Sequence, residues 1–407
     1  MTLATTNVVA TPPGPVAAST HAPTALLLNI GHAFDHMFLL IFATAVATIA
    51  VDFGIDRWES LMPYSVGAFF LFGIGSLPSG RLGDLWGRRA MMIIFFIGIG
   101  AGSIVASFAQ GPWQLAMALA VVGLFASIYH PVGIPMLVQN SLKPGWTIGV
   151  NGLAGNLGIA VAALVTGLLV NYLGWRAAFA IPGVVSIACG LAFALLVPKE
   201  LVAPAKRETR KLDVPPAILA RVFLIMTATA ITSSLLFNFT TSGNGQLLQE
   251  RLRNLVQDPA TLGALLALVY AVASLAQLVV GKLIDRYPLK RVYLGVVLLQ
   301  APLFALAAKV DGWNAFAVQL SFMVLIFGAI PFTDAIIVRF VDDQMRSRVS
   351  GVRLAISFGV SSLAVWLLGP IVKAAGFDSL LMLMAGIALC TLLLVMWLPS
   401  HDPRQAG

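Results

Sequence analysis

The chain has 407 residues, 59% of them hydrophobic and 10% charged, and a mean hydropathy of +0.91. A water-soluble fold of this length needs more surface charge than 25 Lys and Arg plus 17 Asp and Glu supply, so a soluble enzyme is excluded. In lipid the same balance is workable, because apolar side chains face hydrocarbon while backbone groups pair inside helices.

Residues 1–23 are rich in Ala, Thr and Pro and read as a disordered tail. The first basic residue is Arg57, so the positively charged start of a secretory signal is missing. Apolar runs bounded by Gly, Pro or charge then predict spans near 24–50, 60–79, 90–109, 112–139, 147–172 and 175–197. A polar stretch at 199–217 reads as a linker between a half at 24–198 and a half at 218–399. The second half holds spans near 218–242, 260–284, 292–310, 313–340, 346–372 and 376–398, and a tail at 400–407 follows. Each span is close to the about 20 residues that cross roughly 30 Å of hydrocarbon. With both termini placed in the cytoplasm, only Arg57, Arg176, Arg251, Arg253, Lys309 and Lys373 of the 25 basic residues fall on the opposite side. That bias follows the positive-inside rule, so the net charge of +8 is topological and not a nucleic-acid footprint.

The first span carries His32, Asp35 and His36, whose spacings of three and four put His32 over both partners on one helical face. A charged group inside hydrocarbon costs roughly 2.5–3.5 kcal/mol on insertion scales, so such residues usually face an aqueous cavity and act there. After the second span, Asp84 is placed to cap a neighbouring helix or pair with Arg88 or Arg89, with Gly80 permitting close helix approach. A plainer reading leaves the two arginines as topology signals. The fourth span contributes Tyr129 and His130, the latter at about the depth of His32 when counted at about 1.5 Å per residue. Asn151 and Asn156 in the fifth span sit among glycines every third residue, a pattern of close helix packing as much as of substrate contact.

Cys189 and Cys390 lie inside apolar stretches, so packing rather than a disulfide is expected. The seventh span closes on the polar run 238–245, starting at Asn238, which reads as an unwound gating end or a loop start. A short interfacial helix is expected at 246–256. Asp285, Arg286 and Arg291 after the eighth span form a degraded second copy of the first loop, with Pro288 at a glycine position. Asp334 and Arg339 in the tenth span are five apart, a poor spacing for one helix, so Arg353 of the eleventh span is a candidate partner for Asp334 in a structural salt bridge.

Landmarks repeat at one offset. Trp113 and Pro131 answer Trp313 and Pro331 at 200; Gly80, Leu82 and Asp84 answer Gly281, Leu283 and Asp285 at 201; Cys189 and Pro198 answer Cys390 and Pro399 at 201. Their common order means a duplicated six-helix unit, an arrangement that puts a substrate site near the membrane midplane between the halves. The expected fold is therefore an all-α membrane protein of twelve transmembrane helices in two pseudo-symmetric halves.

The run Gly80-Arg81-Leu82-Gly83-Asp84-Leu85-Trp86-Gly87-Arg88-Arg89 resembles the loop signature of the major facilitator superfamily, and Gly174-Trp175-Arg176-Ala177-Ala178-Phe179 resembles its turn between the fifth and sixth spans. Gly31-His32-Ala33-Phe34-Asp35-His36-Met37, Tyr129-His130-Pro131 and Gly155-Asn156-Leu157-Gly158 resemble the fosmidomycin-resistance-like group within it. The resemblance implies the major facilitator fold, a cytoplasmic latch at Gly80, Asp84, Arg88, Arg89, Asp285, Arg286 and Arg291, and a central cavity lined by the first and fourth spans.

Three uses of the cavity set remain open. Asp35 with His32, His36 and His130 forms the protonation site that couples transport to a proton gradient, or the same four groups hold a transition metal, or the histidines only bond neighbouring helices. The first is adopted, so no metal or other cofactor is assigned. His32, His36, Tyr129, His130, Asn151, Asn156 and Asn238 are the candidate substrate contacts. The expected activity is secondary active transport by alternating access in the inner membrane, as a monomer acting on a small organic solute and protons, most simply drug or metabolite export against H+. Import of a carboxylate or metal chelate uses the same parts, and a sensor or channel is the reading of another class. No nucleotide-binding loop is present, so pumping driven by ATP is unsupported.

Overall fold

A computed structural model describes residues 22–138, 144–199, 216–340 and 343–399, so the tails and the linker lie almost entirely outside the described residues. The side chains of Asp84, Asp285, Asp334 and Arg339 lie outside them as well.

The apolar runs become helices throughout. The first half comprises α1 (Ala22–Asp52), α2 (Val66–Trp86) entered through two 3-10 turns, α3 (Arg88–Ser107), α4 (Pro112–Ala126) continued by a π turn at Tyr129–Gly133 and α5 (Ile134–Val138), then α6 (Pro144–Leu173) and α7 (Trp175–Leu196). The second half comprises α8 (Pro216–Leu252), α9 (Pro259–Arg286), α10 (Leu289–Leu298), α11 (Gln300–Ala307), α12 (Gly312–Ala329), α13 (Pro331–Phe340) and α14 (Asp343–Met396).

Among the described residues, eleven helical stretches are long and apolar enough to cross a membrane, the last being 45 residues at Val352–Met396. At about 1.5 Å per residue that stretch is twice the hydrocarbon thickness. Gly376 divides it, with φ 75° and ψ 173°, so the chain crosses twelve times. Gly174 makes the corresponding one-residue break between α6 and α7 at φ 85°, a conformation that side chains with a Cβ rarely adopt.

Hydrophobicity alone does not hold these helices together, since lipid tails are as apolar as leucine; close backbone approach does. A Cβ on Gly100 would lie 2.5 Å from the Gly183 carbonyl, and one on Gly183 would lie 2.7 Å from the Gly100 carbonyl, which locks α3 to α7. A Cβ on Gly167 would lie 2.9 Å from Gly263 Cα, so α6 meets α9 across the two halves. Large apolar side chains such as Phe70, Ile74, Phe108 and Leu195 are exposed, as a lipid-facing surface requires.

Two expectations change. The polar run after Asn238 neither unwinds nor starts a loop: α8 continues as helix through Gly243 and Gly245 to Leu252, so no separate interfacial helix exists at 246–256. Its polar side chains are buried inside the bundle instead. Asn244, Gln246 and Ser242 are buried, and Gln319 of α12 donates to the Asn244 carbonyl at 3.2 Å. At the same end Arg251 reaches Asp311 at 3.0 Å and also Asp378, joining α8 to the starts of two later spans.

Candidate functional site

The site is built on α1 where it meets α6 and the π turn. Gly31 lets α1 approach closely: a Cβ there would lie 3.1 Å from Phe96 and 3.2 Å from Tyr129. One turn on, a Cβ on Gly155 would lie 2.6 Å from His32 Cε1 and Nε2, so α6 presents a notch that only glycine leaves open to the imidazole. The glycines at 155 and 158 therefore do serve helix packing, Gly158 lying directly against the Ala33 backbone. A Cβ on Gly149 would meet nothing within 4 Å.

Pro131 sets up the other wall. It has no N–H to continue the α-helical ladder, α4 ends at Ala126, and the chain widens into the π turn that carries His130. His130 Nε2 lies 3.2 Å from Asp35 Oδ2. Asp35 is fully buried, and neither carboxylate oxygen has a hydrogen-bond partner among the described residues. The rings of His32 and His130 are 5.1 Å apart, those of His32 and His36 also 5.1 Å, and those of His36 and His130 5.9 Å. The depth match counted along the first and fourth spans thus becomes a contact.

A hydrogen-bond network holds this set from behind. The His32 Nδ1–H donates to the Asn151 carbonyl at 2.7 Å, which fixes the tautomer because a carbonyl only accepts. The Asn151 amide donates to Tyr129 Oη at 2.7 Å and to Asn29 Oδ1 at 2.9 Å, and the Tyr129 hydroxyl donates to the Leu28 carbonyl at 2.8 Å. Tyr129 also stacks on His32 at 4.8 Å and 15°. Tyr129 and Asn151, expected as substrate contacts, are buried and spent on orienting the histidine in this conformation. Asn29 was missed by sequence reasoning, although its place three residues before His32 on the same helical face was a usable signal.

The remaining candidates are scattered. Asn156 is buried, and its amide nitrogen has no partner among the described residues. Asn238 is not beside the histidines; it donates to Ser234 and to Ser361, at 2.9 and 2.7 Å, tying α8 to α14. Arg89 donates to the Val197 carbonyl at 2.7 Å and to Ala194, capping α7 within its own half. Arg221, which was not singled out, does the same for the last helix through the Trp397 carbonyl at 2.7 Å. Gly80 faces Pro131, with a Cβ there 3.4 Å from the proline, while Arg286 and Arg291 are exposed. Arg88 and Arg353 are half-buried. Cys189 and Cys390 are both free.

Phe72 of α2 and Phe358 of α14 also escaped the sequence reading. Their rings lie 3.9 Å apart across the halves, and each is 6.0 Å from the His130 ring.

The sequence matches the family model described as Major Facilitator Superfamily over residues 28–250 and 247–407. It is 24% identical over 368 residues to the multidrug resistance protein MdtG of Rahnella sp. (strain Y9602), covering 87% of this chain and 88% of that protein. It is 31% identical over 136 residues to the puromycin resistance protein pur8 of Streptomyces alboniger, a match confined to 32% of this chain and 27% of that one. Among solved structures, a bacterial homolog to the human lysosomal transporter Spinster, inward-facing and occupied, superimposes with TM-score 0.71 at 15% identity over 92% of this chain and 93% of that one.

Proposed function

The chain belongs to the Major Facilitator Superfamily, and from that membership we propose that it is a proton-coupled exporter of small amphipathic organic compounds, working by alternating access. That it is a multi-pass membrane transporter of small molecules follows from the family; the direction, the coupling ion and the substrate class are our reading. Relatives named for multidrug and antibiotic resistance support export. The motif around Gly31 to Met37 supports a place near the fosmidomycin-resistance-like group. The basic-residue count supports both termini in the cytoplasm, and the chain works as a monomer.

The observation that carries the coupling is the Asp35–His130 pair. A buried carboxylate at 3.2 Å from an imidazole on another span is a group whose proton and partner can exchange. When Asp35 takes a proton it loses its ionic attraction for a protonated His130, and His130 is in ring contact with the Phe72 and Phe358 pair that joins the halves. Protonation at one residue thereby biases a contact between halves, the differential that a carrier needs to move between states.

The test uses proteoliposomes with an imposed pH gradient and puromycin or a cationic dye as the probe. Wild type accumulates the probe against its gradient. Asp35→Asn keeps downhill counterflow but loses the gradient-driven part; a mutant that still concentrates the probe refutes the assignment.

A further inference from the structure

The histidine cluster has the makings of a metal site. His32, His36 and His130 each offer a ligand nitrogen, and these atoms all lie within 4.8 Å of one another. A tetrahedral ion with bonds of about 2.0–2.1 Å spaces its nitrogens about 3.3 Å apart, so the set closes around an ion by side-chain adjustments of no more than about 1.5 Å. Two of the three are one turn apart on α1, the i, i+4 arrangement that lets a helix chelate with two imidazoles. The third comes from the π turn of a different span, so the ligands approach from two directions.

His32 carries the decisive observation. It is 5% exposed, its Nδ1–H is committed to the Asn151 carbonyl at 2.7 Å, and its Nε2 has no hydrogen-bond partner among the described residues. A histidine kept only for packing would leave a buried lone pair unsatisfied, which is destabilising. A histidine kept as a ligand needs that lone pair bare and its other nitrogen held by a carbonyl, the outer-shell arrangement of metal-binding imidazoles. Asp35 stands outside this set of three nitrogens, but its Oδ2 lies 3.2 Å from His130 Nε2, close enough for the carboxylate to offset the charge of the ion.

We propose that His32, His36 and His130 bind one divalent transition-metal ion of zinc type where α1 meets the π turn, with the Asp35 carboxylate beside them. Neutral imidazoles and a carboxylate favour zinc and its neighbours over calcium or magnesium, which prefer oxygen ligands alone. The site shares side chains with the proposed coupling pair but does not depend on the coupling being right. An ion bound there excludes the contact between Asp35 and His130 in its present form, so metal and proton become rivals for one site.

The experiment uses the purified full chain in detergent without a histidine tag, in a His21→Ala, His401→Ala background that leaves only the three cluster histidines of the original five. Zinc is titrated calorimetrically, and cobalt is added as a spectroscopic stand-in. The expected result is saturable uptake of about one ion per chain, strong visible cobalt bands of tetrahedral type, and affinity at least about tenfold weaker in His36→Ala. His36→Ala is checked for an unchanged elution profile and melting temperature, and His130→Gln is the second variant. Absence of saturable zinc uptake, or uptake unchanged in both variants of normal fold, overturns the proposal. Because no gradient or solute is present, that outcome is separate from failure of the coupling test.

Discussion

Asp35 is a residue whose surroundings explain its type. Nothing about α1 as a helix needs a carboxylate, and burial in an apolar bundle opposes one. It is retained where a histidine from another span stands 3.2 Å away. Beside it, Gly155 has an equally specific reason to be glycine, since a Cβ would sit 2.6 Å from the His32 ring. Gly155→Ala is expected to push that ring off the Asn151 carbonyl and abolish transport while the protein is still inserted at normal levels. Transport at the wild-type rate in this variant would mean that His32 need not hold its present position. Tyr129→Phe removes the donor to the Leu28 carbonyl and the acceptor for the Asn151 amide. A loss of about 1–3 kcal/mol of stability is expected from the buried polar groups left behind, readable as a lowered unfolding temperature.

At the scale of the element, the π turn is the feature that converts a helix into a site. Pro131 interrupts the ladder after α4, and the equivalent Pro331 opens α13 after α12, so both copies of the repeat break at the same place. Only the first copy puts an ionisable group there, because Ile330 stands 200 residues after His130. Pro131→Ala returns the missing N–H, favours a regular helix and swings His130 away from Asp35. The expected outcome is a protein at least as heat-stable as wild type but without gradient-driven transport. Coupled transport in that variant would show that the turn is dispensable. Helix starts outside the membrane follow simpler rules. Asp258 caps α9 by accepting from the Thr261 N–H at 2.7 Å, and that bond holds its carboxyl below the usual range. A depressed carboxyl stabilises the helix start above its unfolded-state value and loses that contribution as pH falls through its lowered value. Hydrogen exchange at residues 260–263 is therefore expected to speed up, relative to the intrinsic rate, only in acid.

In the whole molecule, one set of contacts between the halves lies at the end of the bundle away from the described chain ends. Trp58 stacks on Phe377 at 6.1 Å, Lys373 donates to the Ser60 hydroxyl at 3.1 Å, Gly369 abuts Glu59, and Gly167 meets Gly263. Cysteines at Ser60 and Lys373, in a chain with Cys189 and Cys390 replaced, are expected to join through a short bifunctional thiol reagent. The bridge should stop transport and its reduction should restore it; unimpeded transport by the bridged protein would show that this end need not open.

The solvent, the number of crossings and the duplication were legible in the amino-acid order, because each depends on quantities that add along the chain: hydropathy, length and the spacing of landmarks. It also placed His130 at about the depth of His32, since helical rise is constant. It misjudged the end of α8, where local composition suggested an unwound segment and burial against α12 kept the helix intact. Which of these side chains meet, and which hold others in position, became visible only once the helices were packed. Tyr129, Asn151 and Asn29 are polar in the same way as Asn156 when read in order; the difference lies in which groups from other helices lie opposite them. Arg89 is a further case, for its partners at Ala194 and Val197 are more than a hundred residues away in the chain. Partners across helices depend on rotation and crossing of whole elements, and no local spacing encodes those.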